Sequence, residues 1–206
     1  MKIVSLKDKR KGLTAVLLED GSELLLDTET VIINGLAPGV FLDDPDALLF
    51  ESDVKRAKNR ALWYLSRGDL SQKKLTEKLI QGGFMPEAAK IAVQRMIELS
   101  LIDDTRLAKR LYEYLSECGA SKREILYKLQ SKGIPTDVAK QIIEQDDNDE
   151  KDKLEKLIKT KYASKLQSEE NVKKVFAALI RKGYSFSDVR EALKAYSEEL
   201  ENSEEY

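Results

Sequence analysis

The 206-residue chain contains no histidine and a single cysteine. Without histidine it lacks the commonest general base, the commonest metal ligand and any Ser-His-Asp or Cys-His nucleophile pair. The lone Cys118 can build neither a zinc cage nor a disulfide framework, and a free thiol fits a reducing compartment. No stretch approaches the roughly 18 consecutive apolar residues that a spanning helix needs. The segment Met1-Lys2-Ile3-Val4-Ser5-Leu6-Lys7 lacks an apolar secretory core and a small-residue cleavage site. No phosphate-cradling glycine loop of the P-loop or dinucleotide kind is present. The expectation is a cytoplasmic protein, not an enzyme, with no catalytic residues, cofactor, metal or membrane partner.

What is abundant is charge. Charged residues make up 35% of the chain, above the typical quarter, beside 42% hydrophobic residues that suffice for a core. Excess charge of mixed sign points to exposed helices and away from a disordered polyelectrolyte. The formal net charge of -2 hides a segregation along the chain. Residues 1–53 hold 5 basic and 11 acidic side chains, residues 54–145 hold 18 and 11, and residues 146–206 hold 12 and 15. The middle segment is therefore +7 between acidic ends, which suits a polyanion or an acidic protein face as partner.

The N-terminal part reads as β. The apolar runs Leu13–Leu18 and Ser22–Leu26 flank Glu19-Asp20-Gly21, and Asp-Gly between such runs is the strongest short-range hairpin signal. Lys2–Leu6 offers a third strand; Thr28 to Asn34 is ambiguous between strand and short helix. The charge of -6 argues against phosphate contact here, and packing on the first helical unit is expected. From Asp43 the pattern turns helical, with Asp43 or Asp44 before Pro45 as the helix start.

An internal repeat of period 50 dominates the remainder. Leu75, Ile125 and Val175 share one register, as do Leu79, Leu129 and Leu179, then Gly83, Gly133 and Gly183. Phe84, Ile134 and Tyr184 follow, then Ala89, Ala139 and Val189, then Val93, Ile143 and Leu193. In each of the first two units a serine (Ser71, Ser121) precedes a short apolar-striped helix, a glycine stops it, and a second helix follows. A further helix precedes each pair: Ala57/Ala61/Tyr64/Leu65, Leu107/Leu111/Tyr114/Leu115, and the less regular Leu154/Leu157/Ile158/Tyr162. The expected fold is mainly α, three tandem three-helix repeats in an elongated curved array with a small N-terminal β-hairpin segment. The expected divisions are 1–42 for the hairpin segment, 43–102, 103–146 and 147–201 for the repeats, and 202–206 for an acidic tail within a frayed C-terminus.

The apolar stripes read as core, so Trp63, Tyr64 and Tyr114 are not taken as a base-stacking platform, and Cys118 is expected to be a buried small hydrophobe. Asp103-Asp104 reads as the acidic start of a helix, not a metal pair.

Several segments resemble the RecX regulatory proteins. Ala61-Leu62-Trp63-Tyr64-Leu65-Ser66-Arg67-Gly68-Asp69-Leu70-Ser71, with Leu75 and Lys78-Leu79, is similar to the first repeat of that family. Leu101–Ala108 resembles its L-x-D-D-x-x-F-A segment, with Leu107 where phenylalanine is usual, and Gly119–Ile134 resembles its G…I…L…K-G-I segment. The resemblance covers about residues 54–200 and is weakest in the third repeat. It implies a cytoplasmic bacterial protein, monomeric, that docks into the helical groove of the RecA–DNA filament. Such proteins mostly restrain recombinase, ATPase and SOS co-protease activity, with single- and double-stranded DNA as further candidate partners.

A regulator of this kind works through contacts, and its basic side chains are the candidates. They are Arg56, Lys58, Arg60 and Arg67 on the first helix, Lys73, Lys74 and Lys78 on the second, and Arg106, Lys109, Arg110, Lys122, Arg123, Lys128 and Lys132 in the second unit. The alternative is a single-stranded DNA-binding protein that competes with the recombinase directly.

Overall fold

The computed structural model describes every residue except Lys11, Asp147, Asn148, Gln167, Glu205 and Tyr206; for Glu169 and residues 199–204 it describes the backbone alone. The chain divides into two compact units, Met1–Asp103 and Asp104–Tyr206.

In the first unit the alternating N-terminal runs form three strands, β1 (Ile3–Lys9), β2 (Leu13–Leu18) and β3 (Glu23–Asp27), in an antiparallel sheet of order β1-β2-β3. The hairpin at Asp20-Gly21 is present, with Gly21 at φ 85° and Asp20 Oδ1 accepting from the Ser22 N–H at 2.9 Å. The ambiguous segment is a short helix, α1 (Thr28–Ile33), because Asp27 ends β3 and caps it, accepting from the Glu29 and Thr30 N–H groups. Ile3, Val16, Leu18 and Leu26 of the sheet bury against Val31, Leu36, Leu42 and Leu48. Leu48 belongs to α2 (Pro45–Leu65), so the sheet packs on the first long helix.

α2 starts where Asp44 accepts from the Ala47 N–H at 2.9 Å, with Pro45 at N1. With α3 (Gln72–Gln81) and α4 (Pro86–Glu98) it encloses Ala57, Ala61, Leu75, Leu79, Ala89, Ala92, Val93, Met96 and Ile102. The small residues at 57, 61, 89 and 92 let α2 and α4 approach closely. In the second unit α5 (Asp104–Glu117), α6 (Lys122–Ser131) and α7 (Thr136–Glu144) bury Leu107, Leu115, Ile125, Leu129, Ile134 and Ile142. Then α8 (Glu150–Leu157), α9 (Glu169–Arg181) and α10 (Phe186–Glu204) gather Leu154, Ile158, Val175, Leu179, Tyr184 and Val189. Between α8 and α9 lie a π turn at Ile158–Tyr162 and a 3₁₀ turn at Ala163–Lys165, which accounts for the irregular pattern there.

The period of 50 has a concrete origin. Ser71 and Ser121 each accept a bond from the backbone three residues on, at 3.2 Å in both cases. At the other end the glycine N–H bonds the carbonyl three residues back, and the following N–H reaches five residues back. Those pairs are Gly83 to Ile80 and Phe84 to Leu79, Gly133 to Gln130 and Ile134 to Leu129, Gly183 to Ile180 and Tyr184 to Leu179. This is a Schellman terminus, and it needs the positive φ values of 87°, 83° and 89° found at the three glycines. The third unit departs at its start: Ser168 caps α9, three residues earlier than the register would place it.

Three expectations need correction. Cys118 is exposed, and it is the next residues, Gly119 against Leu157 and the buried Ala120, that turn into the core. Trp63 and Tyr114 are exposed as well, at 42% and 62%. Trp63 stands two residues beyond Ala61, ~200° around the helix, and cannot share its face; Tyr112, not Tyr114, packs against the core of the second unit. The acidic C-terminus is helical through Glu204 and does not fray there; Glu205 and Tyr206 lie outside the described residues.

Candidate partner interface

A run of positive charge in the first unit lies on one stripe of α2. Arg56, Arg60 and Trp63 succeed one another at helical spacing, and Arg67 follows one turn on, just past the helix end. The Arg60 guanidinium carbon is 5.1 Å from the Trp63 ring centroid and that of Arg67 is 3.9 Å away. Tyr64 stands edge-on to Trp63 at 5.2 Å, and Lys78 of α3 places its ammonium 5.4 Å from the Tyr64 ring. Each such contact is worth about 0.5–1 kcal/mol at an exposed site. Arg60, Arg67 and Lys78 make no ion pair among the described residues. Aromatic faces, and not carboxylates, hold these cations in place.

Beside the stripe lies an open cleft of about 310 Å³, bounded by Leu13, Asp27, Arg56, Asn59, Arg60, Trp63 and Phe84. Arg56 stacks over Phe84 at 5.6 Å and lies 3.7 Å from Asp53. Asp53 is buried, and its carboxylate accepts from the Met85 N–H at 2.8 Å, which fixes the start of α4 and the Phe84 turn against α2. Asp27 is engaged by Lys55 at 3.4 Å, and the Ser52 hydroxyl accepts from the Asp27 N–H at 2.6 Å. Lys55 is held above its ordinary range: burial lowers it, but Glu29 and Asp27 together outweigh that.

The remaining sequence candidates sort by what they touch. Lys74 pairs with Glu77 at 2.7 Å, and the same bond holds the Glu77 carboxyl below its usual range. Lys58 is half-buried on α2, and Lys73 is exposed on α3. In the second unit Arg106, Lys109 and Arg110 are exposed along α5, Arg123 on α6 and Lys132 at its end. Lys128 pairs with Glu124 at 2.7 Å. Lys122 is drawn inward instead: its ammonium donates to the Asp146 carbonyl at 3.0 Å and its N–H to Glu150 at 2.6 Å.

Sequence reasoning missed a polar junction in that unit. The Tyr112 hydroxyl donates to Asp146, and Lys153 of α8 pairs with the same carboxylate. Burial, then the bond to Asp146, raises the Tyr112 hydroxyl; burial works against Lys153, yet Asp146 and Tyr112 carry it upward. Nearby, the Ser121 N–H bonds the Lys182 carbonyl at 2.9 Å and Lys161 donates to the Glu117 carbonyl at 2.9 Å. No apolar periodicity encodes these bonds. The only trace in the sequence is a tyrosine one place off the stripe.

A model of the first three-helix domain of RecX matches residues 57–96, which hold the end of α2, all of α3 and most of α4. The chain is 28% identical over 212 residues to the regulatory protein RecX of Streptococcus gordonii, covering 100% of this chain and 81% of that one. It is 27% identical over 169 residues to that of Caldanaerobacter subterraneus subsp. tengcongensis, covering 81% and 85%. These matches support a RecX-like regulatory protein. A crystal structure of a regulatory protein RecX shares the fold at a TM-score of 0.60 and 24% identity, over 94% of this chain and 98% of that one. RecX from Lactobacillus salivarius superposes at 0.56 and 22% identity, over 69% and 96%. Within the family match lie Arg60, Arg67 and Lys78, so the unpaired cations sit on its first three-helix unit. Among the described residues no helix is long and apolar enough to cross a membrane.

Proposed function

We propose that the protein binds RecA filaments and restrains them, docking along the filament groove through the basic faces of its helices. Its action on the recombinase, its ATPase and its co-protease activity is then one of contact, with no chemistry of its own. The observation that carries this reading is the coincidence of the RecX match at residues 57–96 with the unpaired Arg60, Arg67 and Lys78. Charges without an internal partner lose little solvation when they meet an acidic surface and gain charge-assisted bonds there. Exposed Lys109 and Arg123 extend the basic character into the second unit. Lys122, Lys74 and Lys128 already hold internal partners and contribute less.

Co-sedimentation with RecA–single-stranded DNA filaments at increasing salt tests the proposal. Binding that weakens steeply with salt, and that weakens further in the Arg60→Gln/Arg67→Gln double variant, is the expected result. Absence of co-sedimentation at low salt, or affinity indifferent to salt, contradicts it.

A further inference from the structure

The second unit holds a cleft of about 310 Å³ that the basic helix faces leave unexplained, lined by the end of α5 and by α8 with its π turn. Three ammonium groups line it, those of Lys153, Lys156 and Lys161, against one carboxylate, that of the exposed Glu117. Lys153 is neutralised by Asp146. Lys161 donates to a neutral acceptor, the Glu117 carbonyl, at 2.9 Å, and the Lys156 ammonium has no partner among the described residues. Two positive charges therefore line the cleft with no carboxylate bonded to either. Ser116 lines it too, and its Oγ is buried without a hydrogen-bond partner among the described residues. Buried polar groups in folded chains are nearly all satisfied, so this hydroxyl calls for an explanation. Leu157 and Tyr184, both buried, supply an apolar wall. Gly119 lies so close on Leu157 that an added Cβ would come within 2.6 Å of it, so this wall is packed in advance of any ligand.

Uncompensated ammonium groups, an unpaired hydroxyl and an apolar wall in one small cleft suit an organic phosphate. A phosphate monoester carries a charge of about -1.5 to -2 at neutral pH and three strong acceptor oxygens, which matches two free ammonium groups and one hydroxyl. The cleft stands at the lower end of ligand pockets, which run roughly 300–1,000 Å³, with room for the phosphate and a compact organic body. We propose that Lys156, Lys161 and Ser116, walled by Leu157 and Tyr184, form a binding site for a small phosphate monoester. The site is complete within Asp104–Tyr206 and uses none of Arg60, Arg67 and Lys78, so it stands or falls independently of the filament reading.

Isothermal titration calorimetry of the full-length protein at neutral pH tests the site, with AMP and ribose 5-phosphate as probes. Adenosine, inorganic sulfate and a twelve-residue oligo-dT with a 5′-hydroxyl end serve as comparisons. The expected result is saturable binding of both phosphate monoesters, several-fold tighter than sulfate, with no binding of adenosine. Because a ligand held only by the native state stabilises it, AMP is also expected to raise the melting temperature. The Lys156 ammonium holds nothing inside the fold, so Lys156→Gln leaves the structure intact. It is expected to weaken AMP binding by roughly five- to tenfold, with a larger loss in Lys156→Gln/Lys161→Gln and a smaller one in Ser116→Ala. Arg60→Gln/Arg67→Gln is expected to bind AMP as the parent protein does. Absence of binding by both monoesters at millimolar concentration overturns the proposal, as does AMP affinity unchanged in Lys156→Gln/Lys161→Gln. Sulfate binding as tightly as AMP overturns it in favour of charge alone. Displacement of AMP by stoichiometric oligo-dT overturns it in favour of a nucleic-acid backbone.

Discussion

Alanine at Gly183 is expected to destabilise the second unit by about 2–4 kcal/mol, whereas alanine at Gly83, its counterpart one hundred residues earlier, costs the first unit only about 1 kcal/mol. Both positions carry nearly the same positive φ, 89° and 87°. An L-residue there costs roughly 1–2 kcal/mol, less the ~0.4–1 kcal/mol gained from a stiffer unfolded chain. At Gly83 nothing lies within 4 Å of an added Cβ, so the backbone penalty is the whole effect. At Gly183 the same atom would meet Ser121 Oγ at 2.3 Å and the Glu124 N and Cβ at 3.0 Å. Ser121 would have to abandon its cap on α6, worth about 1 kcal/mol. It cannot simply retreat, because its N–H is tied to the Lys182 carbonyl, the residue next to the substitution. Weakening that bond adds ~0.5–1.5 kcal/mol. Urea denaturation read by circular dichroism follows the whole chain, while Trp63 fluorescence follows the first unit. Ser121→Ala removes the clashing oxygen but leaves the Glu124 contacts, so Gly183→Ala in that background should cost less than in the parent protein and still more than Gly83→Ala. Equal costs at the two glycines, or no coupling between positions 121 and 183, would refute the reasoning.

Further outcomes follow from other contacts. The Tyr184 hydroxyl is pushed up to about 12, by burial first and then by the charges of Glu150 and Glu124. Its folded-state value exceeds its unfolded one, so its contribution is fully present below pH ~10 and is lost as pH rises toward 12. Tyr184→Phe should therefore flatten the alkaline decline in melting temperature while changing little at pH 7. Asp53→Ala leaves the Met85 N–H without its acceptor and Arg56 without its carboxylate; a loss of about 1–3 kcal/mol is expected in urea melts of the first unit. Cys118, being exposed, should react stoichiometrically with a thiol reagent in the native protein, and a thiol released only on denaturation would contradict that placement.

The helical repeat was readable because its signal is chemical as well as periodic. Serine caps, left-handed glycines and the apolar residue after each glycine recur in one register, and each occupies the role its chemistry dictates. Asp20-Gly21 likewise placed its own turn. The α1 segment was not separable from a strand, because six residues span too little of either period and Asp27 had to be recognised as both strand end and helix cap. Trp63 was read as core by its neighbourhood; residue type alone does not say which side of a helix a tryptophan occupies, and its two arginines are legible as partners only once α2 is built. The Tyr112–Asp146–Lys153 junction joins residues up to 41 apart in sequence, and nothing local marks it.

The DNA-dependent ATPase of RecA, measured on single-stranded DNA with increasing amounts of this protein, tests the central claim most directly. The account predicts a concentration-dependent fall in rate, relieved in the Arg60→Gln/Arg67→Gln variant. A rate unchanged up to a large excess of the folded protein would contradict it.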